Sequence, residues 1–216
     1  MLGFDLNSET VYRLAAVAIF LLVGFPVHEF AHAWTANRLG DGTARLFGRL
    51  SLNPAVHFDP LGAGILALSA LLGGFFIGWA KPTPVNPANL RGGRTGEAQV
   101  AAAGPLSNLV LAVAGGLVFR AIVAARPEYS EPARFAVNVT YNFVAINVVL
   151  FIFNFIPVPP LDGSKVMYAF LPPRMAWEAH QLLDRYGFLI LIGLLLAAGR
   201  LLAEPMYAFV DLLVGI

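Results

Sequence analysis

The chain of 216 residues is 58% hydrophobic and only 12% charged, with a net charge of +1 and a mean hydropathy of +0.71, where an ordinary soluble domain has roughly 25% charged residues. This is the composition of an integral membrane protein, and the lack of a basic stripe or of interleaved basic and aromatic residues excludes nucleic acid as a partner. There is no cysteine, so disulfides and thiolate ligands are excluded and any metal must be held by His, Asp or Glu.

At about 20 apolar residues per ~30 Å of hydrocarbon, four stretches are long enough to span as helices: 14–33, 98–125, 135–155 and 186–202. A Gly-rich fifth, 61–78, is marginal. The tail 206–216 is apolar but short, suited to packing on the bundle or lying at the interface. The first apolar run has Asp5 and Glu9 before it and no small-residue cleavage site after it, so it is expected to stay in the mature protein. Lys and Arg divide evenly between the loops of the two sides and set no orientation. No repeat is visible and no connection is long enough for a soluble domain. The expected fold is therefore one all-α polytopic membrane domain over 1–216, with a catalytic core at 14–170 and C-terminal helices at 172–216. It should have about five to six transmembrane helices, a broken catalytic helix and a small β-hairpin or re-entrant segment near the active site.

His28, Glu29 and His32, in the sequence HEFAH, close the first apolar run. Residues four apart share a helix face, so the two imidazoles can bind one metal while Glu29 reaches a water on it. Ionised groups at membrane depth cost on the order of 2.5–3.5 kcal/mol each on insertion scales, and a bound dication offsets that cost. Pro26 removes the hydrogen bond to the Leu22 carbonyl and predicts a kink beside the metal.

Further along, His57 and Asp59 lie in a proline-bracketed loop, read either as a structural turn or, for His57, as an oxyanion contact. The stretch from Trp79 to Pro87, WAKPTPVNP, is too proline-rich for a central strand. Its Lys81, Thr83, Val85 and Asn86 form either an interfacial loop or an edge that receives an unwound substrate strand. AAAGPLSNL, with Gly104 and Pro105, reads as close helix packing. Thr140, Asn147 and Asn154 recur every seven residues and line one helix stripe. Interhelical hydrogen bonds are expected of all three, and Asn154 is also a candidate donor to an oxyanion. Pro157, Pro159 and Pro160 end that helix, so Asp162 is delivered on irregular chain as the third metal ligand. The alternative is that Asp162 merely caps the next helix. His180, on an amphipathic stretch over 172–186, reads as a surface residue.

HEFAH on one apolar segment and NFIPVPPLDG after a later one closely resemble the motifs of the site-2 protease family of intramembrane zinc metalloproteases. NPAVHFDPLG, GWAKPTPVNP and AAAGPLSNL extend the resemblance to about residues 14–170, in the short bacterial form without PDZ or CBS domains. It implies one zinc held by His28, His32 and Asp162, with Glu29 as the catalytic base and Asn154 at the transition state or substrate. The implied function is cleavage of transmembrane protein substrates within the lipid bilayer, with the bacterial inner membrane as the expected location. The rival reading is a membrane metal-binding or metal-transport protein, since His and Asp within a bundle also suit ion passage. Against it, the ligands converge on two motifs instead of spreading along the depth of a pathway.

Overall fold

The computed structural model describes residues 8–71, 81–125 and 130–216, which are helical with no strand among them. The first apolar run forms α1 (Ser8–Ile19) and α2 (Phe25–Arg38), joined by a π-helical turn over Phe20–Gly24. The turn stands where the sequence predicts a kink. Pro26 has no N–H for the Leu22 carbonyl, and the ladder widens so that Phe25 N–H bonds to Phe20 O. A one-residue bulge rotates the following helix face by about 100° relative to the one before.

Two four-residue helices follow, α3 (Thr43–Leu46) and α4 (Pro54–His57), and then α5 (Pro60–Leu71). Residues 41–61 are turned inside out for a loop in water. Asp41, Arg49 and His57 are enclosed, whereas Leu46, Phe47 and Leu52 are 86%, 71% and 55% exposed. The enclosed groups bond to the loop's own backbone: Arg49 to Val56 O, His57 Nε2 to Ser51 O, and Thr43 N–H to Asp41.

From Lys81 to Asn86 the chain is extended, followed by one 3-10 turn at Pro87–Asn89. Then come α6 (Arg94–Ala124), α7 (Glu131–Asn154), α8 (Asp162–Phe170) and α9 (Pro173–Val214). α6 packs against α2, α7, α8 and α9, while α1 packs on α7 and α5. Tyr12, Ala16, Val17 and Phe20 pack with Val139 and Ile146, and Ala112, Val144, Val148 and Val210 join α6, α7 and α9.

Three helices among the described residues are long and apolar enough to cross a membrane: Ser8–Arg38, which is α1 and α2 with the turn between them, Arg94–Ala124 and Glu131–Asn154. The sequence predicts about five to six. Of the others, 61–78 contributes α5 before the description stops at residue 71, and 186–202 lies inside α9. α9 is one helix of 42 residues running through Pro205, and it also contains the 206–216 tail up to Val214. The β-hairpin is not found among the described residues: 81–86 pairs with no strand, and 72–80 lie outside them. The polar stripe of α7 is also used differently than expected. Thr140, Asn147 and Asn154 donate to the carbonyls of Ala136, Phe143 and Leu150 on their own helix, at 2.7, 2.9 and 3.0 Å. Bonding to the carbonyl four residues back satisfies such donors without a partner helix.

Candidate metal centre

α2 turns His28 and His32 toward α6 one helical turn apart, with their Nε2 atoms 3.0 Å from each other. α7 stops at Asn154, and the proline-rich chain that follows returns to start α8 at Asp162. Asp162 lies in the first turn of α8, where the helix dipole favours an anion. The helix has no side-chain cap, and Asp162 Oδ2 lies 3.5 Å from His28 Nε2 and 3.3 Å from His32 Nε2. Gly163 permits this approach, because a Cβ there would overlap the Phe155 carbonyl.

The donor set fits zinc. Ligand atoms at about 2.0–2.2 Å from a tetrahedral zinc lie about 3.3–3.5 Å apart, close to the three distances here. His32 Nδ1 donates to the Val100 carbonyl at 2.7 Å, which fixes the tautomer and leaves the Nε2 lone pair for a metal. Two lone-pair atoms and a carboxylate oxygen then face one another in a buried space, an arrangement that needs a cation or a proton between them. His28 Nδ1 is enclosed with no hydrogen-bond partner among the described residues. Two imidazoles and one carboxylate also leave a fourth position open, the pattern of a catalytic site.

Gly104 on α6 makes the room. A Cβ built there would overlap His32 Nε2 and stand 2.7 Å from His28 Cε1. The sequence predicts helix packing for AAAGPLSNL, and packing is what it does, but the surface packed against includes the two candidate ligands.

Glu29 is 7% exposed. Its Oε2 accepts the Thr83 N–H at 3.0 Å and the Thr83 hydroxyl at 2.7 Å. The extended segment that carries Thr83 is braced by Asp41, which accepts from Asn86 N–H at 2.7 Å and from Asn89 Nδ2 at 3.1 Å. Burial acts to raise the Asp41 pKa, but hydrogen bonds from Thr43, the Asn86 N–H and Asn89 outweigh it and hold the carboxyl below its usual range. Nothing in the sequence singled out Asp41, whose partners lie up to 48 residues away.

The other candidates are placed as follows. Asn154 is half-buried, with one amide N–H given to Leu150 O. His57 is fully enclosed, and the bond from its Nε2 to Ser51 O at 2.7 Å commits the proton that an oxyanion contact would need. Lys81 is exposed and donates its N–H to His57 O. Val85 packs on Ala36, Leu90 and Val100, and Asn86 accepts from Ala88 N–H. His180 is on the surface as expected, 3.0 Å from Asp184 and stacked on Tyr168.

Comparison with known proteins supplies relatives along most of the chain. It is 38% identical over 181 residues to a Bacillus subtilis protein named "Putative zinc metalloprotease YwhC", covering 82% of this chain and 78% of that one. To the Mycolicibacterium smegmatis protein named "Putative zinc metalloprotease Rip2" it is 32% identical over 218 residues, covering 94% and 78%. To the Mycobacterium tuberculosis protein of the same name it is 30% identical over 203 residues, covering 89% and 73%. No family model matches the chain, and no solved structure matches it significantly. Relatives of this identity and coverage, together with a sequence that holds both motifs intact, show that the chain belongs to the site-2 protease family of zinc metalloproteases.

Proposed function

We propose that this chain is a zinc-dependent intramembrane endopeptidase of the bacterial inner membrane, hydrolysing peptide bonds in or near transmembrane segments of other proteins in regulated intramembrane proteolysis. The observation that carries the reading is the convergence of His28, His32 and Asp162 beside a buried Glu29 at the end of an apolar 31-residue span. Ionisable groups at such depth are costly unless paired or bound to a metal.

His28, His32 and Asp162 would hold one zinc per chain. When bound, zinc lowers the pKa of a water in its open position toward about 7 and polarises the scissile carbonyl. Glu29 accepts a proton from the attacking water while the water oxygen bonds to the carbonyl carbon. It then returns that proton to the amide nitrogen as the C–N bond breaks, so one water is consumed and an acid and an amine are released. Asn154 has a second amide N–H beyond the one given to Leu150, and that donor is assigned to the developing oxyanion. The exposed side of the 81–86 segment, with Lys81 and Asn86, is assigned to the unwound substrate. Val85 and the His57 carbonyl support it from beneath.

The test is Glu29→Gln in protein reconstituted with a transmembrane substrate. Cleavage should be lost while zinc stays at one per chain. Cleavage by the zinc-loaded variant would refute the assignment, and zinc flux into vesicles that is indifferent to Glu29→Gln would favour a metal carrier.

A further inference from the structure

The Glu29 carboxylate is held in place by a residue 54 positions away in sequence. Thr83 gives two donors to the same oxygen: its N–H lies 3.0 Å and its hydroxyl 2.7 Å from Oε2, with the hydroxyl also 3.3 Å from the Glu29 carbonyl. A carboxylate's oxygens are equivalent until the surroundings distinguish them. With Oε2 doubly bonded to Thr83, Oε1 is the oxygen left to receive a proton.

The chain around Thr83 is built to keep it there. Pro82 and Pro84 fix their own φ angles and carry no N–H, so Thr83 supplies the one backbone donor of that tripeptide. On one side Lys81 N–H bonds to His57 O at 3.3 Å. On the other, Asp41 takes Asn86 N–H at 2.7 Å, and Arg91 N–H reaches Leu39 O at 2.8 Å. Asp41 and Leu39 directly follow α2, the helix that carries Glu29, so base and orienting group are anchored to the same element.

We propose that Thr83 is a positioning residue that orients Glu29 for proton transfer, and that its N–H serves the carboxylate and not the substrate backbone. The inference rests on the reading of Glu29 as the base. The two roles separate in kinetics: orientation of the base acts on turnover, whereas a substrate contact acts on KM.

Thr83→Val keeps the side-chain shape and the N–H but removes the hydroxyl. In the full chain, reconstituted with a transmembrane substrate, kcat should fall about 10–100-fold, the effect of losing one hydrogen bond to a charged group. KM should stay within about twofold, and zinc should remain at one per chain by metal analysis. Thr83→Ser should restore kcat to within about threefold, and Thr83→Ala, which cannot clash, should repeat the loss seen with valine. Wild-type kcat in both the Val and Ala variants would overturn the proposal, as would a raised KM at unchanged kcat or a serine variant as slow as valine. If Glu29→Gln is inactive while Thr83→Val turns over normally, the positioning role alone falls. Cleavage by Glu29→Gln would remove the base and Thr83's role together.

Discussion

A hydrogen in place of a methyl group at position 104 sets how closely α6 can approach the two imidazoles. Gly104→Ala should therefore separate two properties that mutations usually change together. Alanine favours a helix interior over glycine by about 1 kcal/mol, so α6 should form at least as well, but the new Cβ would occupy the space of His32 Nε2. The expected result is a folded, membrane-inserted protein whose zinc content falls well below one per chain, read by metal analysis beside a thermal melt. Full zinc occupancy would mean that the imidazoles can move aside. The ligands give a complementary prediction: His28→Ala combined with Asp162→Ala should leave no stoichiometric zinc, since one imidazole is too few to hold it. HEFAH could be read from sequence because its geometry is local, with four residues bringing two side chains onto one face. The contacts of Gly104 and Thr83, both picked out for other roles, could not, because each forms only where segments 54 or more residues apart cross.

The connection after α2 encloses its charged groups and exposes apolar ones, the reverse of a loop built for water. Its charged and polar groups, Asp41, Arg49 and His57, are enclosed by their own backbone, and Leu46, Phe47 and Leu52 face outward. Burying apolar groups drives folding in water, so the prediction is that Leu46 and Phe47 lie against lipid. Because the chain has no cysteine, single cysteines at Leu46 and Phe47 can carry nitroxide labels without background. Both labels should be more accessible to oxygen than to a water-soluble nickel chelate, and the opposite ranking would place the loop in water. The neighbouring brace depends on the charge of Asp41. Its folded-state pKa is depressed, so its contribution to stability is present above the ordinary carboxylate range and is lost as pH falls through the folded value. Asp41→Asn should lower the melting temperature at neutral pH and flatten the decline at acid pH. An unchanged acid limb would show that the 81–91 segment is held by other contacts.

For the whole molecule, hydropathy locates the apolar segments, but it separates 186–202 from the 206–216 tail, which one continuous α9 contains up to Val214. Pro205 sits inside one continuous α9 and Pro105 inside α6, as neighbouring structure at membrane depth allows. Pro157, Pro159 and Pro160 do end α7, because three prolines in four residues leave no ladder to repair. What the sequence predicts correctly is thus the convergence of two motifs, and what it misses is how α6, at the centre of the packing, brings them together. That packing bears on substrate choice. The side chains of His28, His32 and Asp162 are 10–16% exposed, and a peptide bond in an intact helix is shielded by its own hydrogen bonds, so under the proposed function a transmembrane substrate is expected to unwind before its carbonyl reaches the centre. A Gly or Pro in a helix interior costs about 1 or 3 kcal/mol relative to Ala. If unwinding limits the rate, placing one near the cut site should raise turnover about fivefold for Gly and about a hundredfold for Pro. Cleavage rates across otherwise identical transmembrane substrates measure this directly. Rates that ignore the position of the helix breaker would mean that the centre receives substrate by another route, with the zinc chemistry left intact.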